Sequence, residues 1–245
     1  LYAALEEDER RSGSAVRMVV MHDAEDMVDP AGLTLLDAAM ETAVLAQLPV
    51  LPVPQADSRW IGSHYCEEFA EAHGTAMVVR DALRVSMPLA GVGCAIRRGA
   101  LAELASRRVG GSPFAADCLT EDYELGIRIS AMGGNTAFLR YRHQDGRLAA
   151  TRACFPARLD FAVRQKSRWV HGIAFQGWDR LGWTRRPAEI WMRLRDRRGP
   201  FAAFILAIGY SLLVVASLSW GMHLAGFGVP RDISPELRAV LVVNF

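Results

Sequence analysis

The sequence predicts an α/β domain that is followed by an amphipathic helix and then by a membrane-spanning helix. Apolar, β-branched runs alternate with segments of helical periodicity up to about residue 185, the order typical of α/β domains. An arginine-rich segment follows. Residues 199–230 then contain no Asp, Glu, Lys or Arg, and about 20 apolar residues are enough to cross the hydrocarbon core of a bilayer.

Composition limits the classes of partner. The 245 residues include 28 basic and 27 acidic side chains, a net charge of +1, so we expect no nucleic-acid partner. The four cysteines (Cys66, Cys94, Cys118, Cys154) stand singly, without CxxC spacing, and we expect them to be reduced. The chain starts at Leu1 and ends in the apolar run LRAVLVVNF, so we expect a piece of a longer protein.

The first third of the chain predicts a helix, a strand and a second helix. LYAALEEDERRSGS is typical of a helix that ends in a Ser/Gly turn. AVRMVVMHDAED is an apolar run that ends abruptly in acids, which predicts a buried strand with a site at its carboxyl end. Residues 33–48 repeat Leu33, Leu36, Met40 and Ala43 at helical spacing before Pro49, which predicts one continuous helix.

The rest of the domain continues the alternation. VLPVPQADSRWIG is expected to be extended, and residues 63–74 predict a helix capped by Ser63 and ended by Gly74. Residues 75–111 predict extended pieces, a glycine-containing loop and a helix that ends in Gly-Gly. A helix behind Thr120, a strand in NTAFLRYR and a helix in DFAVRQKSRWVHGIAFQGW complete the series.

The predicted domain boundaries follow from these patterns. Residues 1–185 form the α/β domain, 186–199 an amphipathic interfacial helix, 200–227 a transmembrane helix, and 228–245 a loop and the start of a further apolar segment. The interfacial segment RRPAEIWMRLRDRR groups Ile190, Trp191 and Leu194 on one side, and its basic residues predict the cytoplasmic side of a membrane. Its arginines are Arg185, Arg186, Arg193, Arg195, Arg197 and Arg198, and nearby indoles available as interfacial anchors are Trp178, Trp183 and Trp191. A solvated charged face is the alternative.

The acids of HDAED form the first candidate site. Asp23 and Glu25 stand at i and i+2 where the predicted strand ends, with Asp26 beside them. Such carboxylates can hold Mg²⁺ or Mn²⁺, which prefer oxygen ligands and often bridge to a diphosphate. A simple polar turn is the alternative. The His22-Asp23 pair of metal phosphohydrolases is disfavoured, because His64 and His73 have no matching spacing.

LTEDYELGIRISAMGG places three acids, Glu121, Asp122 and Glu124, in one first helical turn. The helix macrodipole favours acids there, by roughly 0.3–1 kcal/mol each. A carboxylate at a helix start beside a loop is also well placed to act as a general base. These residues alone leave both interpretations open.

QKSRW is the third candidate site. On a helix, Gln165, Arg168 and Trp169 share one face. Arg can bind phosphate, Gln can form hydrogen bonds, and Trp offers a rigid surface on which a sugar can stack. The alternative is a core Trp169 with Arg168 paired to an acid.

These three motifs, in this order before a membrane helix, resemble the family 2 inverting glycosyltransferases of the cellulose-synthase and hyaluronan-synthase type. That family has a D-x-D-like motif, a T/E-D motif and Q-x-x-R-W; MPLAGVGCAIRRGAL, with Gly91 and Gly93, is similar to its acceptor-side loop. HDAED is most similar to the bacteriophage adsorption protein B branch. The resemblance covers residues 16–225 and implies a partial GT-A (nucleotide-diphospho-sugar transferase) fold whose N-terminal, nucleotide-binding half lies upstream.

The resemblance also implies roles. Asp23 and Glu25 would contact Mg²⁺ or Mn²⁺ and the donor diphosphate, although many relatives carry Asp where this chain has Glu25. Asp122, kept ionised by the helix N-terminus, would be the general base of an inverting displacement. Gln165, Arg168 and Trp169 would hold the acceptor end and the donor phosphates, with Glu121, Gly91 and Gly93 beside them.

The expected partners are a nucleotide-sugar donor, a glycan acceptor, the lipid bilayer and possible envelope-export proteins. The expected location is the bacterial inner membrane, with the catalytic domain in the cytoplasm. Two other functions stay open: transfer of one sugar to a polyprenyl phosphate, and a non-catalytic surface receptor or assembly scaffold. Q-x-x-R-W favours polymer formation over the first, and intact acidic motifs disfavour the second.

Overall fold

A mixed four-stranded sheet organises the larger of two units in the computed structural model, which describes residues 1–115, 117–227 and 234–235. The larger unit spans Leu1–Arg198 and the smaller one Gly199–Phe245. The strands of the larger unit are β1 (Met18–Met21), β2 (Leu45–Gln47), β3 (Val50–Pro52), β4 (Cys94–Arg97), β5 (Thr136–Phe138) and β6 (Thr151–Ala153).

Helices alternate with these strands, as the sequence predicts. They are α1 (Tyr2–Ser12), α2 (Gly32–Ala39), α3 (Ile61–Glu71), α4 (Met77–Leu83), α5 (Arg98–Ser106), α6 (Glu121–Ala131), α7 (Leu159–Trp169), α8 (Gly177–Leu181) and α9 (Pro187–Arg197). Two π-helical segments, Ala72–Ala76 and Val170–Gln176, join α3 to α4 and α7 to α8.

The main sheet has the order β1-β4-β2-β5. Strand β4 pairs antiparallel with β1 and with β2, whereas β2 and β5 are parallel. Strands β3 and β6 form a separate parallel pair. The predicted mixed α/β fold is confirmed, and it is consistent with a partial GT-A domain.

Successive residues of the central strands serve opposite faces of the sheet, as strand geometry requires. Leu45 and Ile96 join a core formed with α5 and α6, while Ala46 and Ala95 join a second core with α2. All four side chains are fully buried. The sheet is therefore covered by helices on both faces, and the carboxyl end of β1 meets the amino terminus of α6 at one edge.

The prediction of one helix over residues 33–48 is wrong. Helix α2 ends at Ala39, and Leu45–Gln47 forms strand β2 in the middle of the sheet. Residues of β2 pair on one side with β4 and on the other with β5. Tertiary pairing thus overrides a helical spacing that continued into the strand by chance.

The predicted ends of the helix over residues 63–74 are also wrong. Helix α3 begins at Ile61, and the Ser63 hydroxyl donates to the Arg59 carbonyl oxygen instead of capping the helix. Gly74 lies inside the π-helical segment, and the chain continues as α4, where extended structure was expected. The helical hydrogen bonds run through Gly74, so the glycine does not terminate them.

Helix α9 packs into the larger unit through two of its arginines. Arg193 and Arg197 are each only 7% exposed. Arg193 donates to the carbonyl oxygens of Leu181 and Gly182, and Arg197 donates to that of Gly177. These two arginines therefore serve packing within the larger unit, and the cytoplasmic side indicated by the basic residues of the segment stays a prediction.

Two residues of the predicted apolar side of α9 are exposed, in contrast to these arginines, whereas Ile190 is half-buried. Trp191 is 65% and Leu194 45% exposed. The Arg197 guanidinium lies over the rings of Trp178 and Trp183, 4.8 and 5.1 Å from their centroids. An interfacial role for α9 stays a prediction that now rests on its exposed apolar residues.

The smaller unit contains α10 (Gly199–Leu224), a 26-residue apolar helix that is fully solvent-exposed. At 1.5 Å per residue it is about 39 Å long, more than the roughly 30 Å of a bilayer core. Within the described part of the chain it is the one helix long and apolar enough to cross a membrane. Of the predicted terminal segment, 228–245, only residues 234–235 lie among the described residues.

Candidate active site

A cavity of about 610 Å³ opens at the sheet edge where β1 ends. Its walls come from the turn after β1, the loop before β4, the start of α6, and α7. Eight of the nine predicted site residues line it: Asp23, Glu25, Gly91, Glu121, Asp122, Gln165, Arg168 and Trp169. Residues as far apart in sequence as Asp23 and Trp169 thus line the same cavity.

The acidic turn after β1 is held by Asp26, whose carboxylate turns back on its own loop. It accepts the Asp23 backbone N–H at 2.9 Å and lies 3.3 Å from the His22 Nδ1. Its other oxygen, Oδ1, is buried without a hydrogen-bond partner. Burial, then the charges of Asp26 and Glu25, raise the pKa of Asp23, while Arg168 and His22 oppose the rise.

This turn fits a divalent cation, with oxygen ligands and an excess of negative charge. The charges of Asp26 and Glu25 add to the effect of burial in raising the pKa of Asp23. Within residues 1–115, 117–227 and 234–235, however, no group of three or more His, Cys, Asp or Glu side chains is placed to hold a metal ion alone. Asp23 and Glu25 would therefore need further oxygen ligands, which a diphosphate can supply.

Asp122 lies at the start of α6, against the glycine loop. Its Oδ1 accepts the Tyr123 backbone N–H at 2.7 Å. A side chain at Gly91 (φ +78°) would place its Cβ 2.9 Å from the Asp122 Oδ2, so only glycine fits there. Gly91 thus leaves room for the carboxylate at the cavity wall.

Burial raises the pKa of Asp122 to about 6. The backbone hydrogen bond from Tyr123 and the charge of Arg168 oppose this rise, and Glu121 adds to it. The sequence-based expectation is that the helix N-terminus keeps Asp122 ionised; with a pKa of about 6 the carboxyl is still mostly ionised at neutral pH, although desolvation outweighs the contacts that favour ionisation. Thr120 also forms no side-chain cap, contrary to the prediction. A pKa near neutrality suits a general base.

Arg168 is the cation that both acids share. Its charge lowers the pKa of Asp23 and of Asp122 alike, so it lies within electrostatic reach of each. Arg80 and Arg195, also on the cavity wall, are each paired with a carboxylate. Among the described residues Arg168 forms no such ion pair, so its guanidinium is available to an anionic ligand.

Gln165 and Trp169 belong to an aromatic wall. Gln165 Oε1 accepts the Tyr65 hydroxyl at 2.8 Å. The Trp169 ring lies 6.2 to 6.4 Å, centroid to centroid, from Tyr65, Phe69 and Phe155. Sequence analysis missed these partners, although Tyr65, Phe69 and His73 recur every four residues, a spacing that indicates one helix face.

A second set of contacts that sequence analysis missed links α9 to α6, the helix that carries Asp122. Asp196 of α9 forms an ion pair with Arg80 of α4 and accepts the Tyr123 hydroxyl at 2.7 Å. Tyr123 follows Asp122 directly in sequence. Arg80, Tyr123 and Asp196 all line the cavity. A charged residue buried in an arginine-rich helix gives no sequence signal that separates it from surface charges.

Gly93 is the predicted site residue that does not line the cavity. Its backbone has φ +63°, and an added Cβ would lie 3.0 Å from the Thr151 Cβ and closer still to the Thr151 hydroxyl. The structure therefore gives Gly93 a packing position between β4 and β6.

Comparisons with known proteins agree with this geometry. Residues 18–229 match the family described as Glycosyl transferase family group 2. The chain is 33% identical, over 228 residues, to "Bacteriophage adsorption protein B" of Escherichia coli K12 and to "Bacteriophage N4 adsorption protein B" of E. coli O157:H7. These alignments cover 86% of this chain but 30% of each relative. The predicted branch is confirmed, and the chain belongs to glycosyl transferase family group 2.

Proposed function

We propose that this chain is the catalytic core of a membrane-bound glycosyltransferase. It transfers a sugar from a nucleotide-sugar donor to a growing glycan by a single inverting displacement. The observation that carries the proposal is the arrangement of Arg168, which acts on both Asp23 and Asp122 across one cavity. In this proposal Asp23 belongs to the diphosphate end of the site and Asp122 to the acceptor end.

The donor diphosphate is held between the acidic turn and Arg168 in this mechanism. Asp23 and Glu25 would hold Mg²⁺ or Mn²⁺, which would supply charge stabilisation to the departing diphosphate. Arg168 contributes a guanidinium that has no protein carboxylate to pair with among the described residues. Bidentate contact of arginine with phosphate oxygens is a strong, oriented interaction.

Asp122 is the proposed base. It takes the proton of an acceptor hydroxyl while that oxygen bonds to the anomeric carbon and the bond from this carbon to the diphosphate oxygen breaks. The products are the extended glycan, a nucleoside diphosphate and a protonated Asp122, which then releases its proton to water. Glu121, exposed beside it, raises its pKa and so favours acceptance of the proton.

The aromatic wall is the proposed acceptor surface. Trp169 presents a large ring beside Phe155 and Phe69, all on the cavity, and sugars stack on such faces. Gln165, fixed by the Tyr65 hydroxyl, would orient the acceptor. We place the domain on the cytoplasmic side of the bacterial inner membrane, anchored by α10, where envelope-export proteins could receive the product.

The relatives are named as bacteriophage adsorption proteins, which favours one other function, that of a phage receptor or scaffold. Full-length protein in membranes is therefore assayed with UDP- and GDP-sugars and Mg²⁺ or Mn²⁺. We expect release of nucleoside diphosphate together with a polymer of several sugars. A lipid-linked monosaccharide would instead indicate transfer to a polyprenyl phosphate, and no turnover with any donor would support the scaffold.

A further inference from the structure

Three residues spaced four apart form a row along α7 and the π-helical segment that follows it. They are Arg168, Gly172 and Gln176. A step of four residues overshoots one α-helical turn by about 40°. The π-helical turns of Val170–Gln176 are wider, so they offset this drift and keep the row on one side of the helix.

All three members of the row contact the chain directly before α6. Gln176 accepts the Leu119 N–H at 3.0 Å and donates to the Asp117 carbonyl oxygen at 3.1 Å. Arg168 donates to the Leu119 carbonyl oxygen at 3.4 Å. An added Cβ at Gly172 would lie 3.0 Å from the Thr120 Cβ and closer still to the Thr120 hydroxyl. The Gly172 backbone therefore packs directly against the Thr120 side chain.

These contacts matter because they hold the chain directly before α6, whereas the first turn of the helix is held by Tyr123 on Asp196 and by Glu124 on Arg108 and Arg180. The described residues between α5 and α6 form neither helix nor strand. Thr120 gives the helix no side-chain cap, and its hydroxyl is buried without a hydrogen-bond partner. Asp122 stands two residues beyond Thr120. Its position relative to Arg168 is therefore set by the row together with the contacts of Tyr123 and Glu124, and not by a side-chain cap.

We propose that Gln176 is a positioning residue for the transfer reaction, acting through the backbone of Asp117 and Leu119 to hold Asp122 at the distance from Arg168 that catalysis needs. The inference rests on the proposed function, because it assigns Gln176 a task only if Asp122 is the base. Gln176 suits the task, since one amide group supplies both an acceptor and a donor to the same backbone segment.

The test compares variants of full-length protein in nanodiscs. Gln176→Leu removes both hydrogen bonds, and Gln176→Glu keeps only the acceptor. His171→Leu, at an exposed position in the same π-helical segment, is the matched control. The measurements are kcat with the donor that the wild type uses, binding of UDP (or GDP for a guanosine donor) with Mg²⁺, and hydrogen exchange of residues 117–123.

We expect Gln176→Leu to lower kcat by about 10- to 100-fold, since a misplacement of about 1 Å can cost 10²-fold. The kcat of Gln176→Glu should fall by a smaller factor, because this variant keeps the acceptor. Affinity for the nucleotide should stay within about threefold, because Gln176→Leu leaves the side chains of Arg168 and Asp23 unchanged. Exchange over residues 117–123 should rise in Gln176→Leu and stay unchanged in His171→Leu.

Three outcomes would overturn the inference. One is normal kcat in Gln176→Leu while Asp122→Asn is inactive, which leaves the proposed function standing. Another is an equal loss of kcat and nucleotide affinity, the sign of general misfolding. The third is an active Asp122→Asn or an inactive wild type, which refutes the proposed function itself and the positioning role with it.

Discussion

At the scale of single residues, Asp122 shows two opposing influences on one carboxyl. The helix start and Arg168 favour its ionised form, while burial disfavours it, and burial prevails to give a pKa of about 6. Sequence motifs identify the residue, yet they carry no measure of desolvation. The acids of LTEDYE therefore predicted where the candidate base lies in the sequence, but they did not predict the pKa of Asp122.

The first prediction concerns the pH dependence of Asp122. As the pH falls through about 6, the base becomes protonated, so kcat/KM should fall about tenfold per pH unit below that value. An unperturbed carboxyl would hold activity down to about pH 4. A profile of kcat/KM between pH 4.5 and 8.5 measures this. Constant activity down to pH 5 would show that the base is another group.

The same shift predicts a change in stability. The folded-state pKa of Asp122 lies above its ordinary value of 3.8, so ionisation costs stability as the pH rises from about 4 through 6. Asp122→Asn should therefore stabilise the protein at pH 8, on the order of 3 kcal/mol, and have little effect at pH 4. Thermal unfolding of both proteins at the two pH values tests the sign; destabilisation at pH 8 would contradict it.

Asp23 gives the metal prediction at this scale. Asp23→Ala removes one of the two proposed protein ligands and should weaken Mg²⁺-dependent UDP binding by at least tenfold, with the fold intact. Calorimetry on full-length protein, with and without Mg²⁺, measures it. Asp37→Ala, an exposed acid outside the cavity, is the control. Unchanged metal-dependent affinity in Asp23→Ala would remove Asp23 from the site.

At the scale of elements, sequence patterns predicted α1, β1, α6 and α7 where apolar periodicity agreed with local signals. They failed at β2 because Leu45–Gln47 is a three-residue strand, too short to show its own period. They failed again at the two π-helical segments, which no residue type marks. The wall aromatics and the Asp196 link were missed because they depend on how helices pack.

Close helix packing gives the element-scale prediction. Gly126 brings α6 against an extended segment: an added Cβ would lie 2.5 Å from the Met87 carbonyl oxygen and 2.6 Å from the Leu89 nitrogen. Gly126→Ala should destabilise by about 1–3 kcal/mol or more, because backbone must shift. Gly74→Ala, a helical glycine with open space around its Cβ position, should be neutral or stabilising.

Thermal unfolding of these two glycine variants checks the packing of α6. Equal stability of Gly126→Ala and wild type would mean that α6 does not approach residues 87–89 as described. Activity adds a second readout, since a shifted α6 carries Asp122 with it. We expect turnover of Gly126→Ala to fall even at temperatures where it stays folded.

At the scale of the whole molecule, α10 predicts attachment to the membrane. Its 26 residues include no Asp, Glu, Lys or Arg. Protein that contains α10 should stay in the membrane pellet after alkaline carbonate washing. A variant with two arginines in place of Leu212 and Leu213 should be released in larger part, since each charge at the helix centre costs about 2.5–3.5 kcal/mol. Equal retention would refute the span.

The chain spans 30% of the length of the curated relatives that it matches, so its catalytic competence is best tested in the full-length protein.

The most direct measurement is single-turnover sugar transfer by wild type, Asp122→Asn and Glu121→Gln, with donor binding measured in parallel. A general base contributes about 10²–10⁴ in rate. We predict that Asp122→Asn loses at least 10²-fold while binding donor normally, and that Glu121→Gln stays active. A loss below about tenfold in Asp122→Asn, or an inactive Glu121→Gln beside an active Asp122→Asn, would contradict the assignment of the base.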